Sequence, residues 1–185
     1  MTVKSDHLRG PNRNNSLLGE DTQYFLLSQI VGKRVETQTG TGIGKLKDFV
    51  FKDDPHYAEV TSLVVGRSLG RPSLNVPWRN VIDLGIEKTI VQDPLDGQYP
   101  EIKYEDEQLL LKDKVLDKRI LDIKGFDVEV VYDIQLLLVK DKLFVVAADV
   151  DRHAMLRRLG LRRLAKSLHE ISSDKDLIPW RYVQA

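Results

Sequence analysis

Short apolar runs alternate with polar turns along most of the chain. In the first half these runs are rich in Val, Ile, Leu and Phe, and Gly, Asp and Pro separate them. They are Lys33–Gln38, Ile43–Phe51, Ala58–Gly66, Ser73–Pro77 and Ile86–Gln92. Runs of this length and composition between turn residues predict β-strands. Five short strands joined by tight turns predict a small antiparallel barrel.

The same pattern occurs twice. Leu26–Phe51 aligns without a gap with Leu111–Leu136, at one constant offset along the chain. Val76–Val81 aligns with Ile178–Val183 at a larger offset, so the second copy holds an insertion before this point. Internal repeats of this kind indicate related structural units. The sequence therefore predicts a mainly β fold with two small antiparallel β-barrels in tandem.

The repeat predicts the division of the chain into segments. We expect a flexible leader at 1–23, a first barrel at 24–93, an acidic linker at 94–106 and a second barrel at 107–185. Residues 93–107 hold six acids against one lysine. The leader is polar and lacks the apolar stretch of a signal peptide, so a cytoplasmic location is the default expectation.

Gly40 and Gly125 fall at the same hairpin turn of the two repeats. A turn that requires a positive φ explains a glycine at both places. Gly40-Thr41-Gly42-Ile43-Gly44 superficially suggests a nucleotide loop, but it leads into a predicted strand and not into a helix. A hairpin turn is the better interpretation, and both glycines are assigned a structural role.

The second repeat contains a basic segment with no acid between residues 152 and 169. Apolar residues recur at helical spacing there, which predicts an inserted helix at about 152–171. Its cationic candidates for binding are Arg157, Arg158, Arg162, Arg163 and Lys166. The helix either covers the second barrel with its basic face in solvent, or meets RNA, an anionic membrane surface or an acidic partner. A third interpretation pairs it with the acidic linker.

Both tryptophans of the chain follow a proline and precede an arginine. The two segments are Pro77-Trp78-Arg79 and Pro179-Trp180-Arg181. The structural interpretation is that each indole fills a barrel end and finds an acceptor for its N–H. The alternative is an exposed aromatic–arginine surface that binds a partner or stacks on bases. Arg79 and Arg181 are accordingly candidate binding residues or donors to loop carbonyls.

Composition excludes several kinds of chemistry. Lys and Arg total 28, as do Asp and Glu, and there is no cysteine. Disulfides, thiolate nucleophiles and Cys-based metal sites are therefore excluded. Asp149, Asp151 and His153 alternate as strand neighbours on one face do, but helix capping by Asp151 explains them better than a metal. No catalytic triad or zinc motif is recognisable, so we expect no catalytic residue, no metal and no cofactor.

The first repeat resembles the PRC-barrel domain, which occurs in the photosynthetic reaction-centre H subunit and in the ribosome maturation factor RimM. The similarity runs through Ile30–Val35, Gly40–Asp48, Val76–Val81 and the strand Ile86–Gln92. The second repeat departs from the pattern, because Asp117, Asp127 and Glu129 stand at the positions of Gly32, Gly42 and Gly44. The resemblance implies a β-barrel fold and no catalytic residues.

The second repeat is similar to a bacterial subgroup of these proteins. Ala148–Leu161 and Leu177–Trp180 resemble the second barrel of proteins that join tandem PRC-barrels to an intracellular domain of the MgtE magnesium-transporter type and to CBS domains. In that subgroup the Pro-Trp segment leads into a helical domain. The resemblance implies that the chain is the front part of a longer protein, although a natural chain of this length is the other possibility.

Three functions follow as hypotheses. The first is a non-enzymatic regulatory or adaptor module that docks to a protein partner or to other domains of the same polypeptide, with a homodimer as an option. The second is an RNA- or ribosome-associated factor resembling RimM. The third is a peripheral subunit of a membrane complex, like the reaction-centre H subunit.

Overall fold

The computed structural model describes residues 22–52, 58–68, 70–102, 109–122, 127–151 and 177–184. In the first repeat these residues form β1 (Thr22–Leu26), α1 (Leu27–Ile30), β2 (Arg34–Thr37), β3 (Gly42–Lys52), β4 (Ala58–Gly66), β5 (Leu74–Pro77), a 3-10 turn (Trp78–Asn80), β6 (Val81–Leu84) and β7 (Lys88–Val91). In the second they form β8 (Leu109–Leu110), α2 (Leu111–Val115), β9 (Arg119–Asp122), β10 (Asp127–Val130), β11 (Asp133–Val139), β12 (Lys142–Asp149), β13 (Leu177–Pro179), a 3-10 turn (Trp180–Tyr182) and β14 (Val183–Gln184).

The mainly β fold is confirmed, and one curled, half-barrel sheet contains strands of both repeats. Its order is β1-β11-β12-β4-β3-β2-β7-β6, and β13, β5 and β8 pair with β12, β4 and β3 respectively. Strands β9, β10 and β14 form a separate small sheet. The two repeats meet where β12 pairs with β4, with Val145 opposite Ala58. The prediction of two antiparallel barrels in tandem is therefore not confirmed.

Strand pairings recur at the offset that the sequence predicts. Phe49 lies opposite Leu63 in the first repeat, and their sequence equivalents in the second, Ile134 and Ala148, also lie opposite each other. Each of these strand pairs also carries a β-bulge at the same place, just beyond Phe49 or Ile134. The repeat is therefore a repeat of backbone geometry as well as of sequence.

The start of each repeat packs against the other repeat. β1 pairs with β11 of the second repeat, and α1 follows it. β8 pairs with β3 of the first repeat, where Leu110 lies opposite Val50, and α2 follows it. The exchange is reciprocal, so each repeat supplies one strand and one short helix to its neighbour.

The hydrophobic core is shared by the two repeats. Almost fully buried side chains from both halves belong to one cluster, which includes Phe49 and Leu63 from the first and Leu111, Ile134 and Leu136 from the second. Burial of apolar surface is the main favourable term in folding. Each repeat therefore depends on the other for part of the surface that it buries.

The turn at Gly32 of the first repeat has the same form in the second repeat, where aspartate replaces glycine. Gly32 has a φ of 84°, and Asp117 at the equivalent position has a φ of 62°. Their backbone N–H groups make equivalent hydrogen bonds, to the carbonyls of Leu46 and Val131 at 2.7 and 2.9 Å. Aspartate tolerates the left-handed region better than most residues. The departure from the family pattern at Asp117 therefore leaves this turn unchanged.

The replacement of Gly44 by Glu129 coincides with a different position of β10, which lies outside the main sheet. A Cβ at Gly44 would collide with the backbone carbonyl oxygen of Gly66, so only glycine lets β3 run this close to β4. Glu129 carries a Cβ at the equivalent place. β10 pairs with β9 alone and does not continue the sheet as β3 does.

Part of the predicted acidic linker packs against the first repeat. Ile102 donates its N–H to the carbonyl of Ser73 at 2.8 Å, and Asn75 donates to Pro100 at 2.8 Å. Tyr99 and Ile102 are buried. This part of the segment therefore lies alongside β5 of the first repeat. Neither of the described helices is long and apolar enough to cross a membrane.

Leu111→Ala tests whether the shared core makes the repeats unfold together. Leu111 is fully buried against the other repeat, and its truncation should cost about 2–5 kcal/mol of the free energy of unfolding. We expect a single urea transition, followed by tryptophan fluorescence and circular dichroism, that moves as a whole. Lys114→Ala on the exposed side of α2 is the control. Two separate transitions, of which only one moves, would contradict the shared core.

Candidate interaction site

Both Pro-Trp-Arg segments have the same backbone conformation. Pro77 has φ −55° and ψ 140°, Pro179 has φ −55° and ψ 139°, and each leads into a 3-10 turn. Proline fixes φ near this value, which sets the start of the turn. The two tryptophans therefore follow β5 and β13 on equivalent backbone.

Each tryptophan contacts the opposite repeat. The indole N–H of Trp78 donates to the backbone carbonyl of Asp141 at 2.6 Å, in the turn between β11 and β12. Trp180 is buried and meets Phe51 of β3 edge to face, with ring centroids 5.7 Å apart. Both side chains therefore help to hold the repeats together.

The two arginines of these segments have different described contacts. Arg79 and Arg181 are both exposed. The guanidinium of Arg181 lies 4.9 Å from the ring centroid of Tyr182, within the range of a cation–π contact. No hydrogen bond or ion pair joins Arg79 to the described residues. Both arginines therefore stay candidate binding residues.

Several candidate residues lie outside the described part of the chain. Gly125 and His153 do, and so do the cations of the basic segment, Arg157, Arg158, Arg162, Arg163 and Lys166. Gly40 is described and has a φ of 85°, in the turn between β2 and β3. Asp149 accepts the backbone N–H of Asp151 at 3.0 Å. Within the described ranges no group of three His, Cys, Asp or Glu residues is placed to hold a metal ion.

Two buried aspartates hold the exchanged helices. Asp48 accepts the backbone N–H groups of Lys112 and Asp113, at 2.8 and 3.3 Å, at the start of α2. Asp133, its equivalent in the second repeat, accepts the backbone N–H of Ser28 at 3.1 Å and its hydroxyl at 2.6 Å, at the start of α1. A helix start leaves backbone N–H groups without intrahelical partners. Each carboxylate supplies acceptors to the helix that the other repeat contributes.

Burial raises the pKa of Asp48 above its ordinary value of 3.8. Removal of the carboxylate from water is the largest cause, and the N–H groups of Lys112 and Phe49 oppose it in that order. The sequence contained a signal for this aspartate pair, because both acids align within apolar strands. What the sequence did not indicate is that each acid serves the opposite repeat.

Exposed apolar side chains lie on β1 and β6, the two strands that end the strand order of the main sheet. Tyr24 on β1 is 44% exposed, and Ile82 on β6 is 51% exposed. Ile86, between β6 and β7, is also exposed. An edge strand presents backbone donors and acceptors to which another chain can pair. The edges at β1 and β6 are thus suited to contact with a partner.

The fold and these edges define a β-sheet module built from a duplicated strand pattern. Residues 23–98, which span β1 to β7, match the family model described as PRC-barrel domain. This match confirms the resemblance of the first repeat to the PRC-barrel domain that the sequence predicted. No curated protein gives a significant match to the chain.

Asp48→Asn should reveal the raised pKa as a pH-dependent difference in stability. The folded-state pKa of Asp48 lies above the unfolded-state value near 3.8, so the folded protein binds this proton more tightly. The wild type should therefore gain stability relative to Asp48→Asn as the pH falls through the folded pKa towards 3.8. Urea unfolding of both proteins across this range measures the difference. Asp96→Asn at an exposed position is the control, and a difference independent of pH would contradict the raised pKa.

Trp78→Phe tests the contact between Trp78 and the β11–β12 turn. Phenylalanine keeps an aromatic ring but cannot donate to the carbonyl of Asp141. We expect the free energy of unfolding to fall by about 1 kcal/mol, the usual value of one hydrogen bond. Chemical denaturation measures it, and Arg79→Ala is the neighbouring exposed control. Equal stability of wild type and Trp78→Phe would contradict a stabilising role for this bond.

Proposed function

We propose that the chain is a non-enzymatic regulatory or adaptor module that acts by docking to other proteins. The observation that carries the proposal is the PRC-barrel domain at residues 23–98, since such domains are often protein-interaction modules. The exposed apolar side chains on the two sheet edges support it. Catalysis has no part in the proposed role.

We further propose that residues 107–185 are a second PRC-type barrel, with the basic helix inserted at about 152–171. The support is the recurrence of strand pairing and of the Pro-Trp-Arg backbone in the described part of this segment. The exchange of strands then makes the two barrels one docking platform.

The proposed setting is a cytosolic protein with an MgtE-type intracellular domain and CBS domains. Its support is the resemblance of Ala148–Leu161 and Leu177–Trp180 to the second barrel of that subgroup. Other domains of the same polypeptide are then the first partners to consider, with a homodimer as a further assembly.

Site-specific photo-crosslinking in cells tests the docking proposal. A photoreactive amino acid replaces Ile82 on the edge strand β6, and the matched control replaces Leu95, which is apolar and fully exposed but outside the strands. We expect a discrete protein adduct at Ile82 that is absent at Leu95. The crosslinked protein, once purified, should form a stable complex with the chain in solution.

The other outcomes separate the competing functions. Adducts that ribonuclease removes would replace protein docking by the RNA-associated function. Adducts with lipid would replace it by the membrane-complex function. Equal adducts at Ile82 and Leu95 would show that the β6 edge has no selective partner and would contradict the proposal.

A further inference from the structure

Three basic side chains lie side by side on the outer face of the first repeat. Arg34 of β2 is directly opposite Lys45 of β3 on one side and Lys88 of β7 on the other. All three are exposed, while Val35 and Thr37, which belong to the same strand, are buried. The pleat therefore points this basic row, Lys45–Arg34–Lys88, away from the core.

The fold gains nothing from this arrangement. Like charges directly opposite each other on neighbouring strands are destabilising. Glu36 neutralises one end of the basic row, through a 3.0 Å ion pair with Lys88. No ion pair joins Arg34 or Lys45 to the described residues. The middle and the other end of the row therefore keep their charge available for an external anion.

The second repeat shows that the strand pattern does not require the basic row. Arg119 on β9 is the equivalent of Arg34, but Val130 of β10 lies opposite it, at the position of Lys45. No strand of the described second repeat pairs with β9 in the parallel direction of β7. Within the described residues, the first repeat thus has three adjacent cations across its strands. The described part of the second repeat has only Arg119 at the equivalent positions.

The chemistry of the basic row favours carboxylates over a nucleic acid. Single-stranded nucleic acids bind to basic surfaces that also offer aromatic side chains for base stacking. The row itself consists of two lysine ammonium groups and one guanidinium and contains no aromatic side chain. Neighbouring strands lie about 4.8 Å apart, so carboxylates of an extended acidic peptide can reach successive members of the row.

We propose that Arg34, Lys45 and Lys88 form a docking surface for an acidic segment of a partner protein, a role that rests on the docking function proposed above. Complementary charge then gives the partner its orientation and its rate of association. The like-charge repulsion within the free surface is relieved when the acidic segment binds.

Fluorescence anisotropy with a labelled oligoglutamate peptide tests the surface in the full chain. We expect saturable binding that weakens as salt is added. Arg34→Glu combined with Lys45→Glu should lower the affinity about tenfold or more. The matched control, Lys118→Glu combined with Arg119→Glu, makes the same change in net charge on the second repeat and should keep the affinity of the wild type.

Thermal unfolding of Arg34→Glu gives a second readout. A glutamate between Lys45 and Lys88 replaces two repulsive neighbours by two attractive ones, so the melting temperature should rise by about 1–3 °C at low salt. A variant that loses peptide affinity while it gains stability is folded, and its loss is specific to the surface. A lower melting temperature would show that the basic row is needed for folding and would overturn the proposal.

Other results would also overturn the proposal. The absence of peptide binding at low salt would do so. An equal loss of peptide affinity in the control variant would also do so, because it would show that the peptide responds only to net charge. Tighter binding of an RNA oligonucleotide than of the peptide would assign the surface to nucleic acid. A homodimer that dissociates in Arg34→Glu/Lys45→Glu would assign it to a second copy of the chain. The crosslinking experiment at Ile82 does not depend on the basic row. A selective protein adduct there would support the docking function even where the proposal for the basic row fails.

Discussion

The structure depends on the reciprocal exchange of two short segments. β1 and α1 belong to the first repeat by sequence but pack on the second, and β8 and α2 do the reverse. Asp48 and Asp133 fix the exchange, because each offers buried carboxylate oxygens to the start of the other repeat's helix. A buried N–H without an acceptor is costly, and so is a buried carboxylate without donors. Separation of the repeats would leave the N–H groups at the helix starts without these acceptors and the two carboxylates without these donors.

This exchange determines which surfaces remain for function. Both tryptophans, for which the sequence favoured a structural role over partner binding, lie between the repeats. Trp78 contacts the turn at Asp141, and Trp180 contacts Phe51. The inward face of the sheet is occupied by the common core. What the described molecule offers to a partner is therefore the outer face of its strands and the edges at β1 and β6. These are surfaces that suit docking.

Much of the strand pattern could be predicted from the sequence, but the partners of the strands could not. The internal repeat predicted the equivalence that later appears as shared register and shared bulges. Hydrophobic alternation tells which face of a strand is buried but not which strand covers it, so one sheet and two barrels fit the same pattern. The basic row was missed for a related reason. Arg34, Lys45 and Lys88 are separated along the chain, and only the register of three strands makes them neighbours.

The differences between the repeats are as informative as their likeness. Asp117 replaces Gly32 and keeps the turn, since aspartate accepts the left-handed conformation. Glu129 replaces Gly44, where a Cβ would collide with Gly66, and β10 lies outside the main sheet. Lys45 and Val130 lie at equivalent positions, and neither contributes to the shared core. Packing therefore does not require a lysine at position 45, and this lysine lies beside a cation that repels it. Such a residue is expected where binding rather than stability has selected it.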